Sequence, residues 1–244
     1  MRAVLLAAGR GKRLASDAPK CLLDVGGRTL LARHIDNMHR AGVDAVTVVV
    51  GHQENMIRSF VAEHLAHTPL TIELVTNPDF VRGSIVSLYR AADRLRDGGI
   101  YMDADVLYPP ALLERLVRSP HENAVLLDGR SEETGEEMMV GTINGRVMAI
   151  ARRVSPLGTW DFAGESVGFA KVGKKGWAVL ESILAEEIAA GRLDQEYEAA
   201  MNRAFSLVEW GFERVDEFPW TEIDFREDVE RASELVKVVD AASA

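Results

Sequence analysis

The sequence predicts a mixed α/β fold: a single domain with a mostly parallel sheet flanked by helices, and an antiparallel hairpin in its second half. Three observations carry this reading. Val4-Leu5-Leu6 is an unbroken apolar run, as a strand buried on both faces requires. β-branched runs and segments of helical period then alternate through the first half, the pattern of parallel βαβ units with right-handed crossovers. Asn144-Gly145 stands between two β-runs, which is the strongest short-range hairpin signal.

The elements follow in order. After the first strand, Leu30, Leu31, His34, Ile35 and Met38 recur at helical spacing, so residues 29–41 read as a helix stopped by Gly42. Residues 43–50 are a second strand, 55–67 a second helix and 70–75 a third strand. Asn77-Pro78 breaks the chain, and a helix over 84–95 starts at Gly83-Ser84. A strand leads from Gly99 into Asp103-Ala104-Asp105. A helix over 109–117, a strand over 124–127 and a loop or edge over 130–137 precede the hairpin of 138–143 and 146–150. The remainder reads as a strand over 167–172, helices over 176–190 and 193–205, a strand over 207–215, and a helix over 226–236. From Val239 onward the tail reads as frayed.

Composition bounds the function. At 244 residues and 47% hydrophobic content, one domain with a substantial core is expected. A net charge of -10 argues against nucleic acid as a partner, since phosphate-backbone binding needs a basic surface. Cys21 is the only cysteine, which excludes an intramolecular disulfide and a cysteine-based zinc cluster and suits a reducing, cytoplasmic setting. Met1-Arg2 leads directly into the first strand without signal-peptide architecture, and no apolar run approaches the roughly 20 residues of a membrane span.

Within this acidic chain one loop is basic. The first strand runs into Ala7-Ala8-Gly9-Arg10-Gly11-Lys12-Arg13-Leu14, and Pro19-Lys20 follows. Small residues let the backbone approach a ligand, and Arg10, Lys12, Arg13 and Lys20 supply charge for a small polyphosphate. An ordinary βα turn with surface charges is the alternative. Neither G-x-x-x-x-G-K-[ST] nor G-x-G-x-x-G is present. Further on, acidic residues end two extended segments: Asp103 and Asp105 after the central strand, and Glu222 and Asp224 in Trp220-Thr221-Glu222-Ile223-Asp224. Acidic side chains at the carboxyl ends of strands face the ligand crevice of an open α/β sheet. Residues two apart in an extended segment point the same way. Each aspartate could instead cap the helix that follows it.

The string L-A-A-G-x-G-x-R-L followed by P-K resembles the signature of nucleotidyltransferases that activate small phosphorylated compounds with an NTP and release pyrophosphate. The resemblance covers nearly the whole chain. It implies a nucleotide-diphospho-sugar transferase-like fold, with a nucleotide-binding half over 1–105 and an acceptor-binding half over 106–240, and a tail at 241–244. It implies that Leu6, Ala7, Ala8 and Gly9 hold base and ribose, and that Arg10, Gly11, Lys12, Arg13 and Lys20 meet the phosphates. Lys20 and Arg13 are the catalytic pair. Gly83, Ser84 and Ser87 lie against the base, with simple N-capping by Ser84 compatible with that role. Asp105, Glu222 and Asp224 hold Mg2+, and Asp103 lies with the nucleotide. The antiparallel region covers the acceptor.

The best match is to the branch with bacterial phosphocholine cytidylyltransferases, whose relatives act on 2-aminoethylphosphonate or inositol 1-phosphate. CTP is the implied nucleotide. Met138 and Met139 stand where choline-type relatives carry aromatics, and a quaternary ammonium is usually held by aromatic faces. A primary ammonium wants carboxylates instead, for which Glu136, Glu165, Asp194, Glu196 and Glu198 are available. Met139, Glu165, Glu196, Tyr197 and Trp220 form the acceptor set. Sugar-1-phosphate nucleotidyltransfer with UTP, dTTP or GTP, and nucleotide binding without catalysis, are the competing classes. A homodimer is compatible with the sequence.

Overall fold

The computed structural model describes residues 1–11, 13–14 and 18–242. Its centre is a nine-stranded sheet with β1 (Arg2–Ala7) beside β2 (Ala45–Val50) and β4 (Gly99–Asp103), and β3 (Thr71–Thr76) beyond β2, all parallel. β9 (Phe162–Val172) then runs antiparallel between β4 and β6 (Ala124–Asp128), and β10 (Gly211–Arg214) adds to β6 in parallel. The hairpin of β7 (Met139–Ile143) and β8 (Arg146–Ala151) joins through β9. Its turn has positive φ at Asn144 (52°) and Gly145 (74°), which is why Asn-Gly stands there.

β1 is buried on both faces, as its apolar run requires. Ala3, Leu5 and Ala7 pack beneath α1 (Leu30–Arg40), α2 (Glu54–His64) and α4 (Pro110–Arg118). Val4 and Ala8 pack on the opposite side with α3 (Ser84–Arg90), α5 (Lys174–Ala189) and α6 (Glu198–Phe205). A third cluster lies under α7 (Arg226–Ala241), where Ile223, Ala232, Val236 and Val239 meet Leu14, Val25 and Leu30. Among the described residues no helix is long and apolar enough to cross a membrane.

Two of these expectations are corrected, and one element is added. The helix expected over 193–205 begins only at Glu198. The preceding residues form a strap of turns and a bend, because their polar groups bond the start of α3: Gly83 N–H donates to Leu193 O (2.8 Å), Ile85 N–H to Gln195 O (3.3 Å), and Tyr197 N–H to Ser84 Oγ (2.9 Å). The expected fraying from Val239 does not occur before Ala241. Val239 is buried, and Asp240 pairs with the buried Arg33 guanidinium at 2.5 Å; Ser243 and Ala244 lie outside the described residues. A short strand β5 (Val106–Leu107), too short to carry a periodic signal, pairs antiparallel with β11 (Thr221–Glu222).

His34 is wholly buried on α1, with Nδ1 3.1 Å from the Tyr108 hydroxyl, and burial pushes its pKa down to about 3. The unfolded chain, with an ordinary histidine near 6.5, therefore binds a proton between those values that the folded chain does not. The sign follows: this contribution is complete above about pH 6.5 and is lost on acidification at up to about 1.4 kcal/mol per pH unit. His34→Asn is expected to flatten the fall in melting temperature between about pH 7 and about pH 4.5 relative to wild type. Equal slopes in the two proteins would show that His34 is not the group responsible.

Candidate functional site

A cleft of about 630 Å³ opens at the carboxyl ends of β1 and β4, where open α/β sheets bind ligands. The first loop enters it with Gly9, Arg10, Gly11 and Arg13; Gly11 adopts φ +55°. Lys20 follows on a single 3-10 turn, Lys20–Leu22, closed by Leu23 N–H donating to Lys20 O at 2.9 Å. The next residue, Cys21, is buried in the core and anchors that turn, so the Lys20 side chain faces the cleft.

The acidic groups arrive from two places far apart in sequence. Asp105 lies in the turn between β4 and β5. Glu222 and Asp224 flank the fully buried Ile223, so alternation turns both carboxylates outward. The β5–β11 pairing and the bond from Ile223 N–H to Asp105 O (3.0 Å) bring the two acidic segments together. Carboxylate oxygens of Asp105, Glu222 and Asp224 all lie within 4.8 Å of one another. Asp224 does not cap α7. Asp228 does so, accepting from the N–H groups of Asp224 and Phe225 at 2.8 Å each, and the Asp224 side chain is left for the cleft.

Lys20 Nζ is 3.0 Å from Asp105 Oδ2 and also donates to Asp224 Oδ1. Burial acts to lower its pKa, but Asp105 and Asp224 outweigh burial and hold the ammonium charged well above the ordinary lysine range. Arg13 Nη1 is 3.3 Å from the other Asp224 oxygen, and its guanidinium lies 4.9 Å over the Phe225 ring. Glu222 keeps an exposed surface, but desolvation of its carboxyl end against the cluster, then Asp105 and Asp224, pushes it up to about 8. Such crowding of hard oxygen donors suits a divalent cation.

Behind this cluster Asp103 accepts a hydrogen bond from the Tyr197 hydroxyl at 2.8 Å. Burial, then Asp105 and Glu198, pushes the Asp103 carboxyl well above the usual range despite that bond. Glu198 is pushed up to about 7, chiefly by burial, and its Oε2 has no hydrogen-bond partner among the described residues.

Of the residues singled out from sequence, Leu6, Ala8, Gly9, Arg10, Gly11, Arg13, Lys20, Gly83, Ser84, Ser87, Asp103, Asp105, Glu196, Tyr197, Glu222 and Asp224 line the cleft. Lys12 lies outside the described residues. Ala7 faces the opposite core layer. Met139 is buried in β7, while its neighbour Met138 lines the cleft. Glu165 accepts from the Ser131 hydroxyl, and the Trp220 indole N–H donates to Asp128 at 2.8 Å; neither lines the cleft. Phe80, Arg82, Arg152, Ser166 and Gly168 also line it, without a sequence signal that set them apart. Gly168, at φ +79°, makes room for Asp103, since a Cβ there would stand 2.3 Å from Asp103 Oδ2.

Comparison with known proteins follows this geometry. A family model described as "MobA-like NTP transferase domain" matches residues 3–192. CMP-5'-(3-aminopropyl)phosphonate synthase of Streptomyces rubellomurinus is 36% identical over 129 residues, which are 51% of this chain and 20% of that protein. The bifunctional IPC transferase and DIPP synthase of Aquifex aeolicus is 28% identical over 242 residues, 96% of this chain and 52% of that protein. The chain thus spans between a fifth and about half the length of these curated relatives. The solved inositol-1-phosphate CTP transferase of T. maritima superposes with a TM-score of 0.79 at 20% identity, covering 100% of this chain and 97% of that one, which establishes a shared fold.

Proposed function

The chain belongs to the MobA-like NTP transferase domain family, and from that premise we propose that it is a cytidylyltransferase. It transfers CMP from CTP to a small phosphorylated or phosphonate amino-alcohol, such as phosphocholine or 2-aminoethylphosphonate, and releases pyrophosphate. The observation that carries this reading is the convergence of Lys20 with Asp105 and Asp224 in one cleft. On this reading residues 1–105 supply the nucleotide side and 106–240 the acceptor side.

Nucleotidyl transfer asks the protein for alignment and charge neutralisation rather than for covalent help. Arg10 and Arg13 meet the β- and γ-phosphates. Lys20 meets the α-phosphate, where negative charge grows in the transition state. When bound by Asp105, Glu222 and Asp224, Mg2+ would neutralise phosphate charge between the two reactants. The acceptor phosphate or phosphonate is already ionised, so no general base is required, and among the described residues no histidine lines the cleft.

The acceptor end of the cleft supports an ammonium group. Asp194, Glu196, Glu198 and Met138 line it there; Arg82 pairs with Asp194 and Arg152 with Glu196, while Glu198 Oε2 has no hydrogen-bond partner among the described residues. Carboxylates favour a primary ammonium, while quaternary ammonium groups favour aromatic faces. The relative named CMP-5'-(3-aminopropyl)phosphonate synthase supports a primary amine on a phosphonate. The test is a pyrophosphate-release screen of four NTPs against phosphocholine, 2-aminoethylphosphonate, inositol 1-phosphate and hexose 1-phosphates with Mg2+. CTP with 2-aminoethylphosphonate or phosphocholine should give the fastest release. Preference for a hexose 1-phosphate with UTP, dTTP or GTP would replace this reading with sugar activation.

A further inference from the structure

The cations that the proposed reaction needs on phosphate stand, in this structure, on carboxylates. Lys20 contacts both Asp105 and Asp224, and Arg13 takes the second oxygen of Asp224. Both oxygens of Asp224 and one of Asp105 therefore carry a cationic partner already. The Lys20 stem is held in this pose. It lies against the Gly11 backbone so closely that a Cβ on Gly11 would stand 2.9 Å from Lys20 Cγ, and the buried Cys21 fixes the adjoining turn.

A dication arriving alone at Asp105, Glu222 and Asp224 would have to break these contacts. It would then strip Lys20 of both its carboxylate partners and leave Arg13 only the more distant Glu136, at 3.7 Å. A triphosphate changes that balance, because it offers Lys20 and Arg13 new anionic partners as the metal takes their place. We propose that Lys20, seconded by Arg13, is a cationic plug: it occupies the carboxylate cluster in the nucleotide-free chain and releases it to a divalent cation only when a triphosphate arrives to receive the side chain. Metal and nucleotide binding are then positively and reciprocally coupled. This inference rests on the metal and phosphate assignments made under Proposed function, and adds to them an order of events.

The test measures Mn2+ binding to the full chain without nucleotide, by titration calorimetry and by the loss of the free-ion electron paramagnetic resonance signal. Lys20→Met should bind Mn2+ tighter than wild type by roughly 5–150-fold, the range typical of coupling between sites. Arg13→Met should shift affinity in the same direction by less, and its exposed side chain makes it a second variant less dependent on folding. Arg10→Met removes the same charge from the same loop, where Arg10 has no carboxylate partner among the described residues, and should leave affinity within about twofold of wild type, well below that coupling range. Circular dichroism confirms that each variant is folded. Equal Mn2+ affinity in wild type, Lys20→Met and Arg13→Met overturns the plug but leaves the metal site standing. Unchanged tight binding in Lys20→Met combined with Asp105→Asn would instead remove the metal assignment, and the plug with it.

Discussion

Lys20→Ala is expected to slow pyrophosphate release by about 10²–10³-fold at saturating substrates, the loss usual when one preorganised donor to transition-state charge is removed. The size of the effect comes from the setting of the ammonium. It is sheltered in a cleft where charge is poorly screened, and its position is fixed by a turn anchored through Cys21. The same substitution leaves Asp105, Glu222 and Asp224 crowded within 4.8 Å without their main counter-ion. A melting temperature lowered in metal-free buffer and restored by Mg2+ should therefore accompany the kinetic loss. Because assays contain Mg2+, unfolding would not account for the missing activity. Near-wild-type turnover in this variant would remove Lys20 from the phosphate-binding role.

Gly83→Ala should do comparable damage by a different route. A Cβ at Gly83 would stand 1.8 Å from the Gln195 carbonyl oxygen, and that oxygen belongs to the strap bonded to the start of α3. Backbone cannot step aside as a flexible side chain can. Overpacking of this kind costs about 1–3 kcal/mol, or roughly 2–4 °C of melting temperature per kcal/mol for a chain of this size. The strap also carries Tyr197, whose hydroxyl holds Asp103, and Glu196, on the proposed acceptor side. Displacing it by about 1 Å should cost turnover by roughly 10²-fold. A variant that melts and turns over like wild type would mean that strap and helix move apart freely.

Local chemistry wrote much of this fold into the sequence. The unbroken apolar run of β1, the helical period of α1 and the Asn-Gly turn each act over a few residues, so each could be read without the rest. The basic loop was legible for the same reason: glycines and cations sit next to one another in the chain. Failures came where a long-range partner took over local polar groups. Residues 193–197 have helix-forming composition, but α3 claims their carbonyls and N–H groups. β5 has only two residues and exists because β11 pairs with it.

The acceptor set shows the same limit at single-residue scale. Met138 and Met139 are indistinguishable in sequence, yet strand alternation sends one to the cleft and the other to the core. Trp220 shares the extended segment of Glu222, but a hydrogen bond to Asp128 takes its indole elsewhere. By itself, then, the sequence determined the strand–helix alternation, the cationic turn and the identity of its acidic partners. Only the tertiary structure decided that Asp105 and Asp224 both meet the Lys20 ammonium. That meeting depends on one short antiparallel pair between segments more than a hundred residues apart, an arrangement with no local signal because its stabilising hydrogen bonds exist only once the chain has closed.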